Sequence, residues 1–234
     1  MKTRFRFWVG VSLVLVYIVI AAGAIVRVTG SGMGCPDWPK CFGYLIPPTE
    51  RAQLDWNSQH EYSEGEVIIV DEVLRVAKTD FISSLQYTES NWETYTKHDY
   101  ALFNVFHTWV EFINRLVGAL SGLATLIVGF LSIGYWKKRK RIPLLSLLII
   151  FGMGFQAWLG KTVVDSNLLP LKISLHMLMA LILVGIILVI RVSSKSFGLS
   201  KLPSKKVRLL LYGTFALTLV QVVLGIQVRQ FVDV

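Results

Sequence analysis

The segment HTWVEFINRLVG places His107, Glu111, Asn114 and Arg115 within an otherwise apolar stretch. Spacings of four and three residues set His107, Glu111 and Asn114 on one helix face, at steps of about 6 and then about 4.5 Å along the axis. Ionisable groups inside a membrane-spanning helix are costly, so they are functional candidates by default. Imidazole can ligate a metal or carry a proton, a carboxylate can accept or donate one, and the arginine fork pairs with carboxylates. A further histidine, His176, sits in LKISLHMLMALILV. Counted inward from Pro170, it lies at a depth of about 9 Å, near the expected level of His107 or Glu111.

The third chemical element is a pair of cysteines. Residues 29–48, TGSGMGCPDWPKCFGYLIPP, are dense in Gly and Pro and hold the only two, Cys35 and Cys41. An even pair among turn formers, facing an oxidising compartment, reads as a disulfide; two reduced thiols held by local packing are the alternative. Closing so short a loop contributes about 2 kcal/mol or less, which makes a redox role worth considering beside a structural one. Metal ligation at the thiols is disfavoured, because the loop's histidines, His60 and His98, are distant in sequence and read as solvated.

Positioning these groups requires membrane helices. The chain is 53% hydrophobic, its mean hydropathy is +0.56, and several apolar runs have the length of a bilayer span. Spans are expected at 8–28, 104–135, 142–161, 170–191 and 207–228. Lys2, Arg4 and Arg6, the run Lys137 to Arg141, and the set Arg191, Lys195, Lys201, Lys205, Lys206 and Arg208 flank these spans with no acidic residue among them. Residues 29–106 instead hold 12 acidic against 5 basic residues. The expectation is a cytoplasmic N-terminus and an extracytoplasmic first loop, in a multi-pass protein of a bacterial inner membrane. The net charge of +9 is thus a topology signal and an attraction to anionic membrane lipid, not a nucleic-acid footprint. A cleaved signal peptide is disfavoured by the length of the first apolar run and by Arg27 at its end. Within the loop, apolar residues from Glu64 to Leu85 fall at helix-like intervals and predict a helix lying on the membrane face or capping the bundle.

Span one ends GAIVR and span five ends GIQVR, with LGKTVV at the end of span three as a weaker echo. Read as a repeat, this divides the chain into a four-helix membrane unit at 1–206, carrying the long loop 29–106, and the first helix of an incomplete second four-helix unit at 207–234. The fold expected is an all-α integral membrane protein, a four-helix transmembrane bundle plus a fifth helix. The second unit stops at Val234, as it would in a truncated product. Paired histidines across a bundle commonly hold a haem iron, with Arg27 and Arg115 available to propionates; the other reading of His176 is a hydrogen bond to a neighbouring helix.

Taken together, GAIVRVTGSGMGCPDWPKCFGYLIPP, VEFINRLVG, QAWLGKTVV, LHMLMALIL and GIQVR resemble the haem A synthase family of cytochrome oxidase assembly. That family has eight membrane helices in two four-helix halves and oxidises a ring methyl of haem O to the formyl group of haem A, through hydroxylated intermediates. The matches fall on its N-terminal half, which holds the substrate haem, plus one helix; a b-type haem is expected in the other half. The resemblance implies that Cys35 and Cys41 are the outer-loop pair acting in redox chemistry or haem transfer. It makes Glu111 the essential carboxylate of the family's E-x-x-H-R motif, Arg115 its arginine and His176 a haem ligand. Asn114 stands where the motif's histidine is expected, which leaves His107, or His176 alone, to bind iron. Expected partners are haem O, a haem O synthase, an electron acceptor, membrane lipid and a second copy of the chain. A non-catalytic b-type haem protein, a membrane thiol oxidoreductase and a half that is inactive without its complement are the competing readings. The first needs a low-spin bis-histidine site, which Asn114 counts against, and the single cysteine pair counts against the second.

Overall fold

The fold is that of a computed structural model describing residues 2–96, 103–194 and 204–232. His98, Lys195 and Lys201 lie outside the described residues. Five helices follow in order: α1 (Lys2–Val28), α2 (Val105–Ser132), α3 (Arg141–Asp165), α4 (Pro170–Ser194) and α5 (Lys205–Val232). Each is long and apolar enough to cross a membrane, so the chain is an all-α membrane protein. Helix starts and stops follow local chemistry. The Asn104 side chain accepts the His107 N–H at 3.2 Å, capping α2, and Pro170 opens α4 where its missing N–H costs nothing. Helices α1, α3, α4 and α5 overrun the expected spans by up to six residues, because amphipathic and basic ends continue the helix beyond the apolar run, whereas α2 stops at Ser132 and a 3-10 turn over Ile133–Tyr135 completes its span.

The chain divides into two compact units. One comprises residues 1–20, 117–163 and 168–234; the other comprises 21–116 and 164–167. The first is a helical unit whose buried core includes Phe5, Val9, Val128, Ile149, Leu183 and Ile187. Small residues set its close approaches. A Cβ at Gly129 would lie 2.3 Å from Ile150 Cδ1 and one at Gly152 would lie 2.6 Å from Leu183 Cδ2, so bulk at either position would force side chains apart, as expected for helices that pack without a hydrophobic driving force. Phe130, Phe151 and Leu171 point outward, each at least two-thirds exposed. None of the apolar window of α5 is buried.

The second unit corrects the sequence reading of residues 64–85. No helix forms there. The segment holds strands β2 (Val67–Val70), β3 (Val73–Ala77) and β4 (Phe81–Ile82), while β1 (Glu61–Tyr62) and β5 (Trp92–Thr94) flank it. They assemble antiparallel as β1-β4 and β2-β3-β5, with Ile69 opposite Leu74 and Val70 opposite Val73. Asp71 and Glu72 make the two-residue hairpin turn, both at positive φ (50° and 58°), the geometry that matches the strand twist. The β-branched run Val67-Ile68-Ile69 is buried on both faces of the sheet. Val67, Ile69 and Leu74 join Cys35, Cys41, Phe42 and Leu54 in one cluster, whereas Ile68 joins Tyr62, Ala77 and Trp92 in another. A strand buried on both sides loses its polar alternation, and a continuous apolar run then mimics helical spacing.

Two tyrosines tie this unit together. Tyr44 donates its hydroxyl to Glu66 Oε1 at 2.7 Å, and the Tyr95 hydroxyl donates to the Pro36 carbonyl. Burial raises both phenols above their ordinary value of 10.0; Glu66 adds to the shift at Tyr44, and Asp37 and Asp165 add to it at Tyr95. A phenol raised in the folded state contributes stability that is complete below about pH 10 and is lost as pH climbs from the unfolded value toward the folded one. Thermal stability of this unit should therefore fall above about pH 10, with these phenolates absorbing only as the fold opens. Ordinary titration near pH 10 without unfolding would contradict the assignment.

Candidate functional site

In the loop-bearing unit, Glu111 is 3% exposed in the second turn of α2. A buried carboxylate is tolerable only with partners. Its Oε2 accepts the Cys35 N–H at 2.8 Å, and its Oε1 is ion-paired with Arg115 Nη2 one turn on. Arg115 then reaches past Glu111. Nη1 donates to the carbonyls of Asp37 (2.7 Å) and Lys40 (3.0 Å), and Nη2 donates to that of Cys35 (3.2 Å). Both terminal nitrogens are thus saturated, and the planar fork fixes three carbonyls of one loop at once.

That loop is the ring closed by a disulfide between Cys35 and Cys41, the pairing expected from the sequence, and both residues are buried. Asp37 braces it from inside, accepting the N–H groups of Phe42 (2.5 Å) and Gly43 (2.8 Å). Phe42 and Gly43 are both at positive φ. Gly43 is required twice over, since a Cβ there would also lie 2.4 Å from Glu66 Cα. The ring docks closely on the start of α2. The Thr108 hydroxyl donates to the Gly34 carbonyl at 2.9 Å, and a Cβ on Gly34 would come within 2.3 Å of the His107 carbonyl oxygen.

His107 is held through Nδ1, 2.9 Å from the Ser31 hydroxyl. Asn114, on the same face, has a buried Oδ1 without a hydrogen-bond partner among the described residues; it faces Gly23, whose Cβ position is 4.0 Å away. Arg27 lies in the last turn of α1. The structure thus brings together Glu111, Arg115, Cys35 and Cys41. His60 is a loop residue, its ring packed edge-on to Tyr62 at 4.7 Å. Gly34, Asp37 and Thr108 were not singled out from the sequence; Asp37 in the turn-rich CPDWPKC run was the available signal, since Asp often satisfies backbone donors in turns.

His176 belongs to the helical unit, where α3 shapes its surroundings. A Cβ on Gly160 would sit 3.3 Å from its Cε1, so the imidazole lies where only a glycine leaves room. Gln156 Nε2 donates to the His176 carbonyl at 3.0 Å. The ring's Nδ1 is buried with no hydrogen-bond partner among the described residues, as is Gln156 Oε1. An orphaned buried nitrogen fits a group that awaits an external partner such as a haem iron. Among the described residues no set of three His, Cys, Asp or Glu could cage a bare metal ion, and a haem, which brings four ring nitrogens of its own, needs no such set.

The sequence profile of the cytochrome oxidase assembly protein family matches residues 6–89 and 82–234. Three curated relatives are each named haem A synthase. That of Shewanella oneidensis is 27% identical over 180 residues, covering 77% of this chain and 42% of the relative. That of Rickettsia prowazekii is 25% identical over 230 residues, covering 93% and 59%, and that of Nitrosomonas eutropha is 29% identical over 165, covering 69% and 38%. The chain spans about half the length of these relatives. No solved structure matches.

Replacing Arg115 by Gln strands the buried Glu111 charge and releases three loop carbonyls. A loss of about 3–5 kcal/mol in unfolding free energy is expected, as for other broken buried pairs. The Glu111→Gln/Arg115→Gln double variant should recover part of that loss, because no unpaired charge remains. Thermal unfolding of the four proteins in detergent checks this, and strictly additive losses would show that the two side chains are not coupled.

Proposed function

We propose that this chain, which belongs to the cytochrome oxidase assembly protein family, takes part in haem A synthesis, oxidising a ring methyl of haem O to the formyl group of haem A. The observation that carries the reading is the buried Glu111 carboxylate, held between Arg115 and the Cys35 N–H at a disulfide ring. The family resemblance gives this carboxylate and this cysteine pair to the substrate-haem half. Each oxidation of a methyl carbon releases protons, and Glu111 is the group proposed to take them.

The division of labour follows from what each side chain still has to offer. His176, with an unsatisfied ring nitrogen against Gly160, is the proposed ligand to the iron of the substrate haem. Arg115 is committed at both terminal nitrogens, so its part is to hold Glu111 and the ring in place; Arg27, in the last turn of α1, is proposed as a propionate partner for its charge and its place on the chain. Cys35 and Cys41 are proposed to act in redox chemistry or haem transfer next to Glu111, since the Cys35 amide touches that carboxylate directly. The b-type haem expected to carry electrons belongs to a second four-helix unit, of which residues 207–234 are the proposed first helix. Partners under this reading are haem O, a haem O synthase, an electron acceptor and a second copy of the chain. The setting is a bacterial inner membrane with a cytoplasmic N-terminus and an extracytoplasmic first loop.

The test is to purify the chain in detergent after expression with haem O available, record its visible spectrum and chromatograph the extracted haem. Haem A or its hydroxylated precursor is expected if this half is catalytic, and bound haem O alone if it is a substrate site needing its complement. Glu111→Gln should keep the haem and stop conversion, and His176→Ala should abolish the haem spectrum. Full conversion by the first variant removes Glu111 from the chemistry, and an unchanged spectrum in the second removes His176 as ligand.

A further inference from the structure

An open groove of about 420 Å³ in the helical unit is lined by Arg6, Phe7, Gly10, Val11, Val14 and Arg191. Five of these come from one face of α1, spaced i, i+1, i+4, i+5 and i+8, so the groove runs about 12 Å along that helix. Its head is cationic and its length apolar. Arg6 is fixed there by donating Nε (3.1 Å) and Nη2 (2.7 Å) to the carbonyl of Ser194 at the end of α4. Arg191, in the last turn of α4, lays its guanidinium over Gly10, where a Cβ would be 2.8 Å from Nη1. That guanidinium has no hydrogen-bond or ion-pair partner among the described residues. Neither α1 nor α4 contains an acidic residue. Phe7 (64% exposed) lies level with the arginines, and past Gly10 the groove continues as apolar surface at Val11 and Val14 (58% exposed).

We propose that this groove is a binding site for an anionic glycerophospholipid, the phosphate lying between Arg6 and Arg191 beside Phe7 and an acyl chain following Val11 and Val14. Two guanidinium forks suit the oxygens of a phosphodiester, and the order of charge then hydrocarbon along the helix is that of a lipid in its leaflet. Arg6 is held by one edge, which leaves Nη1 for the ligand. Gly10 acts by vacancy, because only a residue without a Cβ lets Arg191 settle against α1. A free phosphate would satisfy the arginines and leave the apolar length of the groove uncovered.

Binding of phosphatidylglycerol and of phosphatidylcholine with matched acyl chains to the purified full chain, read by native mass spectrometry, tests this. Phosphatidylglycerol should be retained preferentially, and the preference should shrink as salt rises. Arg191→Gln should weaken phosphatidylglycerol about fivefold, the worth of one basic contact near a headgroup. Gly10→Ala should weaken it as well at unchanged net charge, by displacing the guanidinium. Equal retention of the two lipids by the unaltered chain overturns the proposal whatever the variants do. An undiminished preference in both variants, with helicity unchanged by circular dichroism, also overturns it. Stabilisation by inorganic phosphate alone to the same degree as phosphatidylglycerol would replace the lipid by a free anion.

Discussion

A carboxylate placed in the second turn of an apolar helix has to be compensated, and in this chain that requirement organises an entire unit. Glu111 could have been paired by Arg115 alone, one turn on and on the same face. An exposed pair of that kind contributes little, but a buried one needs every remaining lone pair and proton satisfied. The extra donors come from the loop, as the Cys35 N–H, and the extra acceptors come from it too, as the carbonyls of Cys35, Asp37 and Lys40. Closure of the ring by Cys35 and Cys41, the bracing by Asp37 and the bare Cα of Gly34 all serve one end, which is to deliver those backbone groups to α2 at hydrogen-bonding distance. The sheet beneath completes the arrangement. Val67, Ile69 and Leu74 pack against Cys35, Cys41 and Phe42, so the ring rests on an apolar floor.

The helical unit solves a different problem with the opposite means. Its cohesion comes from close approach rather than from charge, through Gly129, Gly152 and Gly160. The same device that tightens the packing creates the niche for His176, since the glycine that lets a helix come near also leaves a hollow the width of an imidazole edge. Gln156, one turn before Gly160, holds the α4 backbone by its amide. A histidine so placed has its main chain fixed and its ring nitrogen unsatisfied, which is the preorganisation a ligand needs.

The parts of this architecture legible in the sequence are those written in single-helix patterns. Apolar runs located all five helices, and the rarity of charge within them picked out Glu111, Arg115 and His176. Flanking turn formers anticipated the bond between Cys35 and Cys41. The sheet was not legible, because burial on both faces erased the alternation of Val67 to Val70 and the hairpin turn used Asp71-Glu72 rather than a glycine pair. Nor were Gly34, Asp37 and Thr108, whose importance depends on which backbone groups meet across more than 70 residues of chain. Pattern reading sees side-chain types at fixed intervals; it does not see a carbonyl that needs a donor.

Asn114 carries a buried polar atom that is unsatisfied among the described residues. It occupies the position at which the resemblance would call for a second histidine, and its Oδ1 is buried without a partner among the described residues, so the position is polar and unsatisfied although its side chain is a poor iron ligand. His107, the histidine that shares its face, has Nδ1 engaged by Ser31, and its main-chain carbonyl abuts Gly34, so the first turn of α2 is fastened to the loop. Under the proposed function, His176 would hold the iron of a haem that arrives as substrate and departs as product. A haem that only carries electrons would be held by two strong side-chain ligands, as His and Met hold it in cytochromes c. The Asn at 114 therefore weighs against a second strong ligand at that position, by the weakness of its amide as a ligand.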